Sequence, residues 1–339
     1  MTRFEKLQQQ WRSLFRISAL KPSWIGIDMG SHTTKVVCQD QPSMLFPTCL
    51  VREKQSRNVI AVGTVARKMI GKLPESMEII YPIRGGKIVD IAGCSALLEY
   101  LLNENLPQSL LHLLTPPRLY ITHPFLHLEA QRLAWVEIVR KKTPRAKVIT
   151  LADALWKAVT TDRVFTHQGC VIDIGAMTTK YYLYIDDRLA ASFMTDVGGE
   201  NWTRMMREKL RQKYQLEVGW GTAEYLKKKA FHLGTAPQRH AVQGKNLLSN
   251  MPETQVIQDD IFVEGAAELI NSIAESFQQF AQQGSPEMVS KLIEKGIYLT
   301  GGGSQVGGLR SELEKKLKLP ISLSLTPQID SIKGVKLWV

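Results

Sequence analysis

Hydrophobic and polar positions along the chain follow two patterns, short apolar runs and longer helical stripes. Apolar runs end at polar turns near residues 24–28, 169–173 and 296–300, and such runs predict buried β-strands. Apolar residues spaced three and four apart predict helices, for example over 262–280, where packing in a core explains the stripe. The chain is therefore expected to combine strands with helices.

A separate helical stripe lies in the first 22 residues. Its apolar members share one face of the helix: Phe4, Leu7, Trp11, Leu14 and Phe15. The same segment holds five Lys or Arg residues and one acidic residue, and Pro22 ends it. A basic, aromatic-rich stripe is typical of an interfacial membrane helix, and a helix docked on the protein body explains the pattern equally well.

Two of the apolar strands run into the same polar turn. The pattern Asp-x-Gly-x-x-Thr-Thr occurs at 28–34 and again at 173–179. Backbone N–H groups and hydroxyls in such a turn suit a phosphate, and the leading aspartate is placed to hold a hydrated cation. One copy is weak evidence because many hairpins favour these residues, but two copies predict two similar halves facing a common ligand.

Three further segments carry candidate chemistry. A triple glycine, 301–303, follows an apolar strand, and Ser304 is suited to begin the next helix. A Gly-Gly-Glu run, 198–200, precedes a helical stretch. Glu224 and Lys227 lie three apart on one helix face, and on their own a surface ion pair explains them.

Composition and charge narrow the classes of protein. The 339 residues are 44% hydrophobic, which excludes disorder and suggests about two domains. We read neither a membrane-spanning run nor a secretory signal in the sequence. The four cysteines lie far apart, which predicts reduced, buried thiols: Cys38, Cys49, Cys94 and Cys170.

The net charge of +11 suits phosphate, nucleic acid or an anionic membrane as a partner. Nucleic acid is not expected, because the basic residues are not interleaved with a stacking platform or a groove-reading motif. The basic N-terminal stripe instead favours an anionic membrane surface, where each Lys or Arg contributes on the order of 1 kcal/mol.

The two Asp-x-Gly turns followed by the glycine-rich turn resemble the actin-like ATPase superfamily of actin, sugar kinases and chaperone ATPases. Within it the chain most resembles the rod-shape-determining bacterial actin MreB and its paralogues, through 60–74, 81–90, 196–202, 222–227 and 296–304. The resemblance covers roughly 24–339. It implies an α/β actin-like fold of two domains, each a mixed β-sheet flanked by helices, with a nucleotide cleft between them.

The implied domains are 23–155, with a small subdomain at about 45–95, and 156–339, with a small subdomain at about 216–256; residues 1–22 precede them. The implied cofactors are ATP and Mg²⁺, with Asp28 and Asp173 holding the ion through water. The remaining implied nucleotide contacts are Gly30, Ser31, His32, Thr33, Thr34, Gly175, Thr178, Thr179, Gly198, Gly199, Glu200, Glu224, Lys227, Gly301, Gly302, Gly303 and Ser304.

The sequence departs from the family pattern at several positions. Ala176 and Met177 stand where the second turn ordinarily has two more glycines, and Met177 is expected to crowd the γ-phosphate. His32 replaces a small residue, and a harmless polar turn residue explains it better than a phosphate contact does. The carboxylate that orients the attacking water is expected at Asp153, one methylene shorter than the usual glutamate and followed by Ala154 instead of proline. These changes predict at most a slow ATPase.

The function that the resemblance implies is a membrane-associated filament on the inner face of the cytoplasmic membrane, organising cell shape or cell-wall synthesis. Its partners would be further copies of itself, the membrane, and either the cell-wall synthesis machinery or a paralogous actin. The alternative is a non-filamentous scaffold of the division or pilus type, with a mainly structural nucleotide. A metabolite kinase or chaperone ATPase ranks last, because we read no substrate-binding insertion large enough for a kinase and no C-terminal peptide-binding domain in the sequence.

Overall fold

The structure is a computed structural model that describes residues 24–106, 117–124, 129–162, 164–282, 290 and 295–339. The amphipathic helix predicted over 1–22 lies outside the described residues. Its membrane role stays a prediction.

The strands follow one another through the described chain as short segments. In chain order they are β1 (Trp24–Met29), β2 (Thr33–Cys38), β3 (Met44–Pro47), β4 (Leu50–Glu53), β5 (Val59–Val62), β6 (Met77–Ile80), β7 (Ile83–Arg84), β8 (Lys87–Ile88), β9 (Arg118–His123), β10 (Ala146–Thr150), β11 (Gly169–Ile174), β12 (Thr179–Ile185), β13 (Arg188–Thr195), β14 (Leu216–Glu217), β15 (Arg239–Asn246), β16 (Pro252–Gln258), β17 (Ile297–Thr300) and β18 (Ile321–Leu323).

Helices separate groups of these strands. They are α1 (Gly63–Lys68), α2 (Ile91–Asn105), α3 (Glu129–Arg140), α4 (Leu151–Thr161), α5 (Gly199–Tyr214), α6 (Trp220–Tyr225), α7 (Val263–Gln282), α8 (Leu309–Leu317) and α9 (Asp330–Lys336). A π-helical turn, Leu226–Ala230, extends α6, and 3₁₀ turns cover Asp259–Phe262 and Gly302–Gln305.

Two five-stranded sheets share one topology. The first has the order β10-β9-β1-β2-β3 and the second β18-β17-β11-β12-β13. In the first sheet, β1, β2 and β3 pair antiparallel in turn, while β9 pairs parallel with both β1 and β10. In the second sheet, β11, β12 and β13 pair antiparallel in turn, while β17 pairs parallel with both β11 and β18. The two similar halves expected from the duplicated motif are therefore present in the backbone.

A three-stranded sheet accompanies each large sheet. The order β5-β4-β6 falls within residues 45–95, and β14-β15-β16 covers 216–258. The predicted domain boundaries stay predictions, but these sheets lie where the two small subdomains were expected.

Each large sheet has its own hydrophobic core. Trp135 and Leu97 are fully buried beside the first sheet, and Trp202 and Phe262 beside the second. The stripe predicted over 262–280 faces the second core, which confirms its assignment to packing. All four cysteines are buried and none forms a disulfide bond, as expected for reduced thiols.

Helices α4 and α9 lie between the two large sheets. Ala154 of α4 packs with Ile332 and Val335 of α9 in a cluster that includes residues of the first sheet. Trp156 of α4 faces the second sheet, where its ring stacks on Tyr184 with centroids 4.2 Å apart. The last helix thus packs against the first sheet, although it follows the second sheet in the chain.

Candidate functional site

The two Asp-x-Gly turns have the same hairpin geometry. The Gly30 N–H donates to the Thr33 carbonyl at 3.2 Å, and the Gly175 N–H donates to the Thr178 carbonyl at 2.8 Å. The first turn joins β1 to β2 and the second joins β11 to β12, at the equivalent place in each sheet. The sequence repeat therefore corresponds to a repeated structural unit.

Each leading aspartate pairs with a lysine from the opposite strand. The strand registers place Asp28 across from Lys35 and Asp173 across from Lys180. Lys35 Nζ lies 2.6 Å from Asp28 Oδ2, and Lys180 Nζ lies 3.1 Å from Asp173 Oδ2. Sequence reasoning missed both lysines, although each directly follows the Thr-Thr pair of its motif.

Asp28 is held by further donors. The Ser331 hydroxyl of α9 and the Thr122 hydroxyl of β9 each donate to its carboxylate at 2.6 Å. Burial opposes ionisation of Asp28, but the Lys35 charge and the hydrogen bonds of Lys35, Ser331 and Thr122 outweigh it and lower its pKa. The carboxylate is therefore ionised.

Lys35 of the first hairpin interacts electrostatically with carboxylates of both turns and of α9. Burial opposes the charge of Lys35, yet the carboxylates of Asp28, Asp173 and Asp330 raise its pKa. Asp173 belongs to the second turn and Asp330 to α9, so the ammonium of the first turn lies within electrostatic range of both. The aspartates that were expected to face each other share one charged region.

A loop of the first half contacts the second turn directly. The Gly85 N–H lies 3.4 Å from Met177 Sδ, and the Gly86 N–H lies 3.3 Å from Ser31 Oγ. Neither Ala176 nor Met177 has a positive φ. The missing glycines therefore cause no backbone strain, and the Met177 side chain lies against the opposite half.

Glu200 of α5 also spans the two halves. Its carboxylate lies 3.3 Å from His32 Nε2 and 3.8 Å from Arg84 Nη2. Burial lowers the pKa of His32, partly offset by the charges of Glu200 and Glu224, so the imidazole is neutral at pH 7. His32 thus lies at the contact between the halves, a role its position in the sequence did not suggest.

The Gly-Gly-Glu run packs on the second turn. The Gly199 N–H donates to the Gly175 carbonyl at 3.0 Å, and the Glu200 N–H donates to the Ala176 carbonyl at 2.6 Å. A Cβ at Gly198 would lie 2.8 Å from the Ala176 carbonyl oxygen. The first amides of α5 therefore hold the second turn in place.

The Glu224 and Lys227 pair is buried against this run and is not a surface ion pair. Lys227 Nζ donates to the Gly199 carbonyl and the Thr203 hydroxyl, each at 2.8 Å, and contacts Glu224. Burial opposes ionisation of Glu224, but Lys227, Lys228 and Thr203 together lower its pKa to about 2. The predicted pair thus lies beside the second turn, with its acid ionised.

The triple glycine passes directly behind the second turn. Gly301 has a φ of +88°, and a Cβ there would lie 2.3 Å from the Ile174 carbonyl oxygen. A Cβ at Gly303 would lie 2.5 Å from Ile174 Cγ2. Ser304 donates its hydroxyl to the Gly301 carbonyl at 2.7 Å inside the 3₁₀ turn and does not cap α8, which begins after Gly308.

Two threonine hydroxyls of the motifs form hydrogen bonds within the protein. Thr34 Oγ1 lies 2.8 Å from Thr48 Oγ1, and the Thr179 hydroxyl donates to the Val197 carbonyl at 2.6 Å. Thr33 pairs with Pro47 in the β2–β3 ladder. Their part in phosphate binding stays a prediction.

Asp153 lies in the first turn of α4 with an exposed side chain. Its backbone N–H donates to the Thr150 hydroxyl at 3.0 Å, which caps the helix. Its role in orienting water stays a prediction.

Within the described residues, no group of three or more His, Cys, Asp or Glu side chains is arranged to hold a metal ion. The described helices include none long and apolar enough to cross a membrane.

The family model described as MreB/Mbl protein matches residues 22–339. The chain belongs to the MreB/Mbl family. This confirms the resemblance inferred from the motifs.

Known relatives of this MreB/Mbl chain are distant in sequence. It is 25% identical over 308 residues to the cell shape-determining protein Mbl of Bacillus subtilis, covering 89% of this chain and 91% of that protein. The crystal structure of MreB5 of Spiroplasma citri bound to AMPPNP superposes with a TM-score of 0.85 at 18% identity, covering 94% and 96% of the two chains. A MamK double helical filament gives a TM-score of 0.77 at 17% identity, covering 94% and 99%. The predicted actin-like fold is confirmed.

Proposed function

We propose that this chain is an MreB-like actin that binds ATP between its two Asp-x-Gly turns and polymerises into membrane-associated filaments that organise cell shape or cell-wall synthesis. The observation that carries the proposal is the convergence on the second turn of the Gly-Gly-Glu run, the Glu224 and Lys227 pair and the triple glycine. Family membership and the AMPPNP-bound MreB5 neighbour support it.

In this proposal the nucleotide is shared between the two halves. The two turns and their lysines would bind the phosphates, since they supply backbone N–H groups and ammonium charge. Glu224, Lys227 and the glycines behind the second turn suit the nucleoside, because the backbone there approaches closely without side chains. A ligand held by both halves favours whichever arrangement of the halves improves its contacts, and this would link nucleotide state to assembly.

The magnesium ion that the resemblance implies stays outside this proposal. Asp28 accepts three hydrogen bonds, one of them from its ion-pair partner Lys35, and Asp173 accepts one from Lys180. Asp28 keeps about one acceptor position and Lys180 offsets the charge of Asp173, so we assign neither carboxylate to a hydrated cation.

Membrane attachment is assigned to the predicted helix over 1–22, and self-association to the whole fold. A MamK relative of the same fold forms a double helical filament, which supports self-association here. The location that follows is the cytoplasmic face of the membrane, with the cell-wall synthesis machinery or a paralogous actin as further partners.

Sedimentation with and without ATP, in the presence of anionic or neutral liposomes, tests the proposal. We expect ATP-dependent pelleting, and double protofilaments lying flat on anionic lipid in negative-stain images. Deletion of 1–22, or Trp11→Ala on the apolar stripe, should abolish lipid binding, whereas Gln9→Ala on the polar face should not. A liposome-bound monomer would instead favour the scaffold function, and lipid binding by the deletion would refute the membrane-helix assignment.

Slow hydrolysis is the second prediction that follows from the proposed function. The shorter carboxylate of Asp153 is expected to position water poorly, and a displacement of about 1 Å costs roughly 100-fold in rate. Phosphate release by assembled wild-type protein should therefore be close to that of Asp153→Ala. Robust release that disappears in Asp153→Ala would contradict the prediction.

A further inference from the structure

We propose that this cleft binds the phosphate chain of its nucleotide without a divalent cation, and that the ammonium groups of Lys35 and Lys180 supply the positive charge instead. The inference rests on the proposed function, because it concerns the chemistry of the same cleft. It changes the ligand from a metal–nucleotide complex to the free nucleotide.

Both aspartates already have a cationic partner. Lys35 Nζ lies 2.6 Å from Asp28 Oδ2, and Lys180 Nζ lies 3.1 Å from Asp173 Oδ2. The Thr122 and Ser331 hydroxyls fill two more acceptor positions on Asp28. A hydrated cation needs free carboxylate lone pairs to accept hydrogen bonds from its water molecules, and Asp28 has about one left.

The strand pairing of the two hairpins places each lysine beside its aspartate. In both, the lysine lies directly opposite the aspartate in the strand register. Lys180 is only 7% exposed. A buried ammonium with a carboxylate partner leaves its place reluctantly, because separation would strand two charges away from water.

The two aspartates of the turns and Asp330 are balanced in charge by three lysines. Asp330 lies within electrostatic range of Lys35, and Lys333 Nζ lies 3.9 Å from Asp330 Oδ1. Three acids, Asp28, Asp173 and Asp330, thus face three lysines, Lys35, Lys180 and Lys333. These six groups carry no net negative charge to attract a divalent cation, and their ammonium groups still have N–H donors for phosphate oxygens.

Lys180 also lies close enough to its turn to reach a phosphate. A Cβ at Gly175 would lie 3.7 Å from Lys180 Nζ, so this ammonium borders the second turn itself. An ammonium has three N–H donors, and the bond to Asp173 uses one. The remaining donors are available to phosphate oxygens beside Gly175.

The test measures ATP binding to the full-length protein by calorimetry, once with excess EDTA and once with excess MgCl₂. We expect the Kd of the wild type to differ by less than about threefold between the two conditions. A wild-type Kd that rises more than about tenfold in EDTA would overturn the inference and leave the proposed function intact. Absence of ATP binding in both conditions would reject the proposed function, and the inference with it.

Lys180→Gln sharpens the test because it frees Asp173. In EDTA the Kd of this variant should rise at least about tenfold, and MgCl₂ should restore most of the affinity, since the freed carboxylate now binds the hydrated ion. Lys141→Gln, at an exposed lysine that directly follows α3 and pairs with Glu137, is the matched control and should bind like the wild type. An equal loss with and without MgCl₂ would contradict the role given to Lys180.

The double variant Asp173→Asn/Lys180→Gln guards against misfolding, because it leaves no buried charge unpaired at this hairpin. Its thermal unfolding should resemble that of the wild type. It should bind ATP weakly in both conditions, since it has neither the ammonium nor the carboxylate. Wild-type affinity in the double variant would overturn the inference.

Discussion

Gly334→Ala is expected to lower the unfolding free energy by about 3 kcal/mol, although alanine favours helices over glycine by up to about 1 kcal/mol. Gly334 lies in α9, and a Cβ there would lie 1.6 Å from the Ala154 carbonyl oxygen of α4. Backbone atoms cannot rotate away as a side chain can, so the two helices must separate. The packing between α9 and the two sheets then loosens.

Thermal and urea unfolding of the two proteins measure this effect. Gly221→Ala is the matched control, because Gly221 lies in α6 with no atom within 4 Å of the added Cβ. It should be as stable as the wild type or more stable by up to about 1 kcal/mol, because alanine is favoured in a helix and meets no clash here. A Gly334→Ala protein as stable as the control would mean that α4 and α9 do not cross this closely.

Gly301→Ala is expected to cost about 2 to 4 kcal/mol of stability and to weaken ATP binding at least about tenfold. Two effects add at this position. The φ of +88° is strained for any residue with a Cβ, and that Cβ would lie 2.3 Å from the Ile174 carbonyl oxygen and 2.4 Å from Asp173 Oδ1. Relief of the clash must displace the second turn, which the proposed function places on the phosphates.

The neighbouring Gly302 provides the stability control. It does not have a positive φ, and the atom nearest to an added Cβ is Gln328 Cγ at 3.7 Å. Gly302→Ala should therefore unfold like the wild type. If Gly301→Ala were equally stable and bound ATP normally, the close approach of the triple glycine to the second turn would be wrong.

The sequence predicted the parts of the fold that are encoded locally. The repeated motif at 28–34 and 173–179 correctly indicated two similar halves, because a hairpin is specified by a turn and the strands beside it. The glycines at 301–303 were predicted to approach a ligand, which stays a prediction, whereas the close approach that Gly301 and Gly303 do make is to the second turn. The hairpin needs no knowledge of distant contacts.

Other features depend on contacts between distant segments and could not be read from a single sequence. Nothing in the seven-residue pattern of α9 indicates which sheet it covers. The contacts of Glu200 with His32 and Arg84 depend on how the halves face each other. The ion pairs of Lys35 and Lys180 could have been predicted from the sequence, because each lysine lies opposite an aspartate once the hairpin register is assumed.

The start of α9 joins the two halves through adjacent residues. Asp330 accepts a hydrogen bond from Thr300 of the second sheet at 2.6 Å, and the next residue, Ser331, donates to Asp28 of the first sheet at 2.6 Å. Two adjacent residues of one helix therefore tie the two sheets together. A change at the Asp28 carboxylate reaches the second sheet through the side chains of Ser331 and Asp330 and the short backbone between them.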